Sequence, residues 1–512
     1  MRSLREGILD GSGVCGEEPG RLGKLGASRW SSLSIKSIFR GLRHLVFPKA
    51  NADGPPKPLR PTAYLDGLRG FAAFLVYIHH NQLWSHGSVS LRNNAIFENA
   101  FGWENEFHFA TFYGIRNFFT GGHIAVAIFY VISGYVLSLK PLSLLQAGEH
   151  LKLGDNLASA FFRRWFRLYI PLIVTCFVFA TSWHVFGYWN FAVQAKSTYL
   201  EELWNLYVEF KNFSFIFKEG AWVWVSYNPH LWSIPLEMRG SIVIFTACLA
   251  LSRATTKARL LCQVALAFYF LYIVDAFYCA LFITGMLQCD LDLLARREGG
   301  YFPGFLRRLE RYKTFIYYHL FILSMYLAGV PSSTAKLEDL RANPGWYWLS
   351  YLKPQAVLDP KWFYLFIASN LLVACIPRMG WLKRFFESRF CQYLGRISFS
   401  LYLVHGPILN VVGDRLYHAV GWVRTAASDH PEKMEAWSNK FPLPMGGPLG
   451  LEPAFLLPQL ILLPLTFWVA DVVTRMVDEP TVKFSAWMYK RVQGGGQPES
   501  KPVDNVALLR LA

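Results

Sequence analysis

Charge is scarce in this chain. Only 17% of its 512 residues are Asp, Glu, Lys or Arg, against about 25% in soluble domains, while 53% are hydrophobic and 17% aromatic. A water-soluble fold of this size has no use for so much apolar surface, whereas a chain solvated by lipid does. Paired cysteines are also missing. Cys15, Cys176, Cys248, Cys262, Cys279, Cys289, Cys375 and Cys391 form no CxxC pair, and most lie inside apolar runs. That excludes a disulfide framework and a cysteine zinc site, and leaves small buried hydrophobes. Residues 1–60 lack a long apolar core and are basic and rich in Gly and Ser, so no cleavable signal peptide is expected. Within them, Trp30 to Phe47 mixes Ile35, Ile38, Phe39, Leu42 and Val46 with Lys36, Arg40 and Arg43. It reads as a basic amphipathic helix on a membrane surface or as a disordered tail. No internal repeat, separate soluble domain or nucleic-acid-binding motif is visible.

What is present is a series of apolar runs. The pattern predicts an all-α integral membrane protein of about ten transmembrane helices in one bundle. The spans are placed near 69–85, 121–139, 168–187, 235–251, 259–274, 276–291, 314–331, 361–377, 394–413 and 454–474. The stretch 259–291 is 33 residues long, too long for one span of about 20. It is read as two spans turning at Asp275, with one long tilted helix, and nine spans in all, as the alternative. With the N-terminus in the cytoplasm, 36 of the 51 Lys and Arg fall on the cytoplasmic side and 13 on the other. This asymmetry predicts both termini inside, and it accounts for the net charge of +16 without a nucleic-acid partner. Trp222, Trp224, Trp346 and Trp348 fall in outside segments and suit an interfacial belt, and the sequon Asn212-Phe213-Ser214 falls there too. The expected organisation is a cytoplasmic tail over 1–60, a ten-span domain over 61–490 and a cytoplasmic tail over 491–512, in an endomembrane or the plasma membrane.

Ionisable groups inside a span are costly and usually face a bundle interior or a cavity. In Asp66-Gly67-Leu68-Arg69-Gly70, followed by an apolar run to His79-His80, Arg69 and His80 differ by about 20° around a helix and about 16 Å along it. One face thus carries a cation at one end and an imidazole near mid-membrane, the side chain best suited to take a proton from a hydroxyl near neutral pH. The bland reading is a hydrogen-bonding His and a snorkelling Arg. In Arg163-Arg164-Trp165-Phe166-Arg167, Arg164 and Arg167 share a face at the cytoplasmic boundary, where a ligand's phosphate would suit them. Positive-inside anchoring is the competing account. His230-Leu231-Trp232-Ser233-Ile234-Pro235-Leu236-Glu237-Met238-Arg239 offers Glu237 to orient an imidazole or hold a substrate hydroxyl, against a salt bridge with Arg239 or another Arg. Ser398-Phe399-Ser400-Leu401-Tyr402-Leu403-Val404-His405 places His405 deep in a span, as a structural or a second catalytic His. Gly121-Gly122-His123 and Ser133-Gly134-Tyr135 supply small residues for close helix packing.

The order Leu65-Asp66-Gly67-Leu68-Arg69-Gly70 to His80, Phe129-Tyr130-Val131-Ile132-Ser133-Gly134-Tyr135, Arg164-x-x-Arg167, Leu231-Trp232-Ser233 to Glu237, and Leu394-Gly395-Arg396-Ile397-Ser398 to His405 resembles the acyltransferase 3 family, its fungal branch above all. The resemblance runs from about 62 to 485 and includes Asp478-Glu479-Pro480. It implies a ten-span membrane fold that O-acylates glycans, lipids or small natural products, including secondary metabolites, usually from acetyl-CoA. It points to His80 as the catalytic His, with His79 as a duplicate that blurs the choice, and to Arg164, Arg167 and Glu237 as functional. No counterpart of the bacterial esterase-like C-terminal domain of some members is expected, since only a short tail follows residue 490. The expected chemistry is acyl-CoA held by Arg69, Arg164 and Arg167, His80 as base or as brief carrier of the acyl group, and Glu237 and His405 in support. No metal is expected, since no ligand cluster is legible by spacing. The expected partners are the bilayer, acyl-CoA and a hydroxyl-bearing acceptor. The rival is a multi-pass transporter using the same His, Arg and Glu as a substrate or proton pathway.

Overall fold

The computed structural model describes residues 59–89, 91–190, 195–217, 224–297, 301–423 and 432–493. The amphipathic stretch at Trp30 to Phe47, Trp222 and nearly all of both tails lie outside the described residues. Among those described, every regular element is helical. The long helices are α1 (Ala63–Val89), α2 (Gly122–Gln146), α3 (His150–Phe186), α4 (Tyr199–Ser214), α5 (Ser233–Ala250), α6 (Thr256–Tyr272), α7 (Phe277–Arg296), α8 (Lys313–Ala328), α9 (Lys361–Cys375), α10 (Arg389–Ile408), α11 (Pro453–Val473) and α12 (Glu479–Val492). Each predicted span lies largely within one of them. Six described helices are long and apolar enough to cross a membrane: Gly122–Gln146, His150–Phe186, Pro229–Ala250, Phe277–Arg296, Pro360–Arg378 and Pro453–Val492. α6 and α8 have 17 and 16 residues. α1 and α10 are long enough, but they carry Asp66, Arg69, His79 and His80, and Arg389, Arg396 and His405. These polar groups keep α1 and α10 out of the six.

The 33-residue apolar stretch is broken into two helices rather than forming one long tilted helix. α6 ends at Tyr272, α7 begins at Phe277, and Asp275 takes a left-handed φ of 47°. The Asp275 carboxylate accepts a hydrogen bond from the Leu358 N–H at 3.1 Å, tying the turn to the start of α9.

Backbone contact between helices is made possible by glycine. A Cβ on Gly70 would stand 2.1 Å from the Gly395 nitrogen, and one on Gly395 would stand 2.5 Å from the Asp66 carbonyl oxygen, so α1 and α10 meet with nothing between them. Gly134 and Gly285 do the same for α2 and α7, with Cβ positions 2.0 and 2.2 Å from the Phe282 and Val131 carbonyl oxygens. The small residues of the Ser133-Gly134-Tyr135 motif thus serve close packing. Away from the glycines, Arg259 on α6 donates to Asp290 on α7 at 2.7 and 2.9 Å, and Gln263 and Gln146 donate to the same carboxylate. Both charges are fully buried, and removing either would leave the other unpaired.

Trp346 departs from the expected belt. It is fully buried, stacked on Tyr326 at 5.4 Å and edge-on to Tyr364 at 5.2 Å. Trp224 and Trp348 remain exposed.

Glu98, in the connection between α1 and α2, is half-buried. Burial pushes its carboxyl up from 4.5 to about 7, against the pull of Lys361 and Arg116. The proton is held more tightly in the folded chain, so folding loses stability as pH rises from about 4.5 through about 7, and the full cost is present above that. Glu98→Gln is expected to raise the thermal midpoint at pH 8 and to leave it unchanged at pH 4.5. A midpoint that shifts equally at both values would refute this.

Candidate active site

α1 carries two consecutive imidazoles 100° apart around its axis, and the fold sends them to different neighbours. His79 is buried. Its ring fills the place of a missing side chain at Gly122, where a Cβ would stand 2.6 Å away, and it lies 5.3 Å from the His123 ring. His80, on the Arg69 face, meets His230 at 4.1 Å and His405 at 5.3 Å between ring centroids, and His230 and His405 are 5.0 Å apart. The sequence shows no metal-ligand cluster by spacing, yet the folded chain brings one ring nitrogen from each of His80, His230 and His405 within 4.8 Å of the others. These residues are far apart in the chain, and only the packing of α1, the turn before α5, and α10 unites them.

Two of the three rings have their tautomer set by neighbours. The His405 Nδ1 lies 2.8 Å from the Tyr402 carbonyl and 3.2 Å from that of Leu401. Carbonyls only accept, so Nδ1 carries a proton, and in the neutral ring Nε2 carries the lone pair. That Nε2 is buried without a hydrogen-bond partner. The Asn228 amide donates to the Leu403 carbonyl at 2.8 Å, which turns its Oδ1 towards the His230 Nδ1 at 3.2 Å. His230 therefore also holds its proton on Nδ1. Gly406 makes room for this, since a Cβ there would stand 2.4 Å from the His230 Nδ1. Tyr402 donates to the His230 carbonyl and is bonded to the Ser233 hydroxyl at 2.7 Å.

One turn beyond Ser233, Glu237 accepts from the Ser133 hydroxyl at 2.6 Å and is ion-paired with Arg164. Arg164 also donates to the Ser241 hydroxyl at 2.8 Å. Both side chains are largely buried, at 12% and 14% exposure. Of the readings offered by the sequence, Glu237 thus has its interhelical salt bridge, with Arg164 rather than Arg239. Arg163 bonds the Ser159 carbonyl of its own helix, so Arg164 is the inward member of that pair.

Arg69 donates to Asp66 at 3.3 Å and to the Gly395 carbonyl at 3.4 Å, and its Nε is buried without a hydrogen-bond partner. Arg167 is exposed and lies within electrostatic reach of Arg164, Asp478, Arg69 and Arg163. The fold therefore gathers Arg69, Arg164 and Arg167 at one end of the imidazole-bearing face, with Asp478 among them. An apolar cavity of about 350 Å³ lies on another face of α1, against Leu68, Phe71 and Leu75, and no histidine or arginine lines it.

The sequence reading missed His230, Asn228 and Tyr402 as site residues. His230 opens the Leu231-Trp232-Ser233 motif, and an imidazole at the start of a predicted span was the available signal. The chain also matches known proteins. The acyltransferase 3 model, an acyltransferase domain, matches residues 62–475. The O-acetyltransferase PaAT-1 of Phomopsis amygdali is 29% identical over 471 residues, covering 85% of this chain and 86% of that one. The acyltransferase clz18 of Cochliobolus lunatus is 25% identical over 418 residues, covering 72% and 86%. No solved structure matches.

Proposed function

Because the chain belongs to the acyltransferase 3 family and is a membrane acyltransferase, we propose that it moves an acyl group, acetyl by preference, from acyl-CoA onto a hydroxyl of a small molecule, lipid or glycan. The observation that carries this reading is the single face of α1 with His80 among imidazoles at one end and Arg69 beside Arg164 and Arg167 at the other. Guanidinium groups match phosphate geometry, and the donor's phosphates would meet Arg69 and Arg167 there. The thioester arm then runs along the bundle to the histidines.

The lone-pair nitrogen of His80 accepts the acceptor's O–H proton as its oxygen attacks the thioester carbonyl carbon. The C–S bond breaks, the ester forms, and the proton on His80 passes to the CoA thiolate. Glu237 holds Arg164 in place. The topology that fits is ten spans in one bundle, both termini and the arginine end cytoplasmic, in an endomembrane or the plasma membrane. Family membership favours transfer over transport.

The test is thiol release from acetyl-CoA by the purified protein in nanodiscs, with a cell extract as the source of acceptors. Thiol release with labelled acetyl recovered in an ester supports the reading. No release, and no CoA binding that depends on Arg69 and Arg167, would move the protein to the transport alternative.

A further inference from the structure

We propose that His80, His230 and His405 form a binding site for one divalent transition-metal ion of the zinc class. Imidazole nitrogen suits zinc, copper, iron and nickel. Zinc–nitrogen bonds of 2.0–2.1 Å in a tetrahedral site place the ligand nitrogens about 3.3 Å apart. The three nitrogens here already lie within 4.8 Å of one another, so small side-chain rotations close the site. The supporting shell is in place as well. A metal-binding His characteristically donates its other N–H to a carbonyl or a comparable acceptor. His405 does so to Tyr402, and His230 does so to Asn228, whose own amide is held by the Leu403 carbonyl.

The electrostatics favour an ion. With Nδ1 of His405 and His230 turned to acceptors, each neutral ring keeps its lone pair on Nε2, and the His405 Nε2 is buried with no hydrogen-bond partner. Convergent lone pairs repel one another, and a buried acceptor without a partner is costly. A cation or a proton donor between the rings relieves both. With three protein ligands the fourth position of a tetrahedral ion stays open. His79 and His123 pair with each other on the neighbouring face and stand outside the site.

The consequence for catalysis rests on the proposed acyl transfer. The ion uses the same His80 nitrogen that takes the acceptor's proton, so an occupied site has no free base, and zinc inhibits transfer while a chelator restores it.

The experiment uses full-length protein carrying a tag without histidine, stripped with a chelator and reconstituted in nanodiscs. Zinc is titrated by equilibrium dialysis, and cobalt by visible absorption. One zinc per chain, with cobalt bands of tetrahedral type, is expected, lost in His405→Ala and in His230→Asn and kept in His79→Ala and His123→Ala. His230 is only partly buried, so its variant tests the site should His405→Ala fail to fold. Absence of binding, or binding unchanged in both variants of the site, overturns the proposal and leaves water or the acceptor hydroxyl between the rings. Zinc binding in a protein that never transfers an acyl group would uphold the metal site and remove the transfer reading. Transfer by a protein that binds no zinc would do the reverse.

Discussion

His80→Ala is expected to lower acyl transfer by about 10²- to 10⁴-fold, the usual worth of a positioned general base, with the protein still folded. His80 shares the Arg69 face of α1 and meets His230 and His405, whereas its neighbour His79 is packed against Gly122 and His123. His79→Ala should therefore cost stability through the space it leaves and should keep turnover within a few-fold once folded protein is matched. Steady-state acetyl transfer by both variants, normalised to the monodisperse fraction, decides the matter. Turnover that survives His80→Ala and fails in His79→Ala would move the base to the other histidine.

The second large effect concerns the arginines, which the fold divides into two kinds. Arg164 and Glu237 form a largely buried pair, and removing one partner of such a pair costs about 3–5 kcal/mol. Arg164→Ala and Glu237→Ala should each depress the thermal midpoint sharply. The double replacement Arg164→Met with Glu237→Met should recover most of the loss, because no charge is left uncompensated. Arg167 is exposed beside Arg69 and Asp478. Arg167→Ala should leave the midpoint within about 2 °C and raise the KM for acetyl-CoA about tenfold, as befits a lost charge-assisted phosphate contact of about 1.5 kcal/mol. Thermal midpoints and KM values for the four variants test both statements together. A KM unchanged in Arg167→Ala would remove this arginine from donor binding.

Much of this was legible along the chain because lipid imposes a local rule. A span needs about 20 apolar residues, so the apolar runs mark the helices, and the 33-residue run reads as two spans turning at Asp275, where the chain does turn. Helical periodicity alone put His80 rather than His79 on the Arg69 face. The same rule blurs where function lies. α1 and α10 carry the polar groups of the site and so fall short of the apolarity of a span, although their glycines lock them together at Gly70 and Gly395.

The sequence by itself determined the helical class, the helix positions, the membrane setting and the candidate groups, since each follows from composition or from spacing within one helix. Tertiary structure alone decided who meets whom. His230 joins His80 and His405, Arg164 turns to Glu237, and Trp346 goes inside. These contacts link residues tens to hundreds of positions apart, and no periodicity within a segment encodes them. They arise from glycines that let backbones touch, from buried charges that must find a partner, and from imidazoles whose protons are assigned by the carbonyls packed against them.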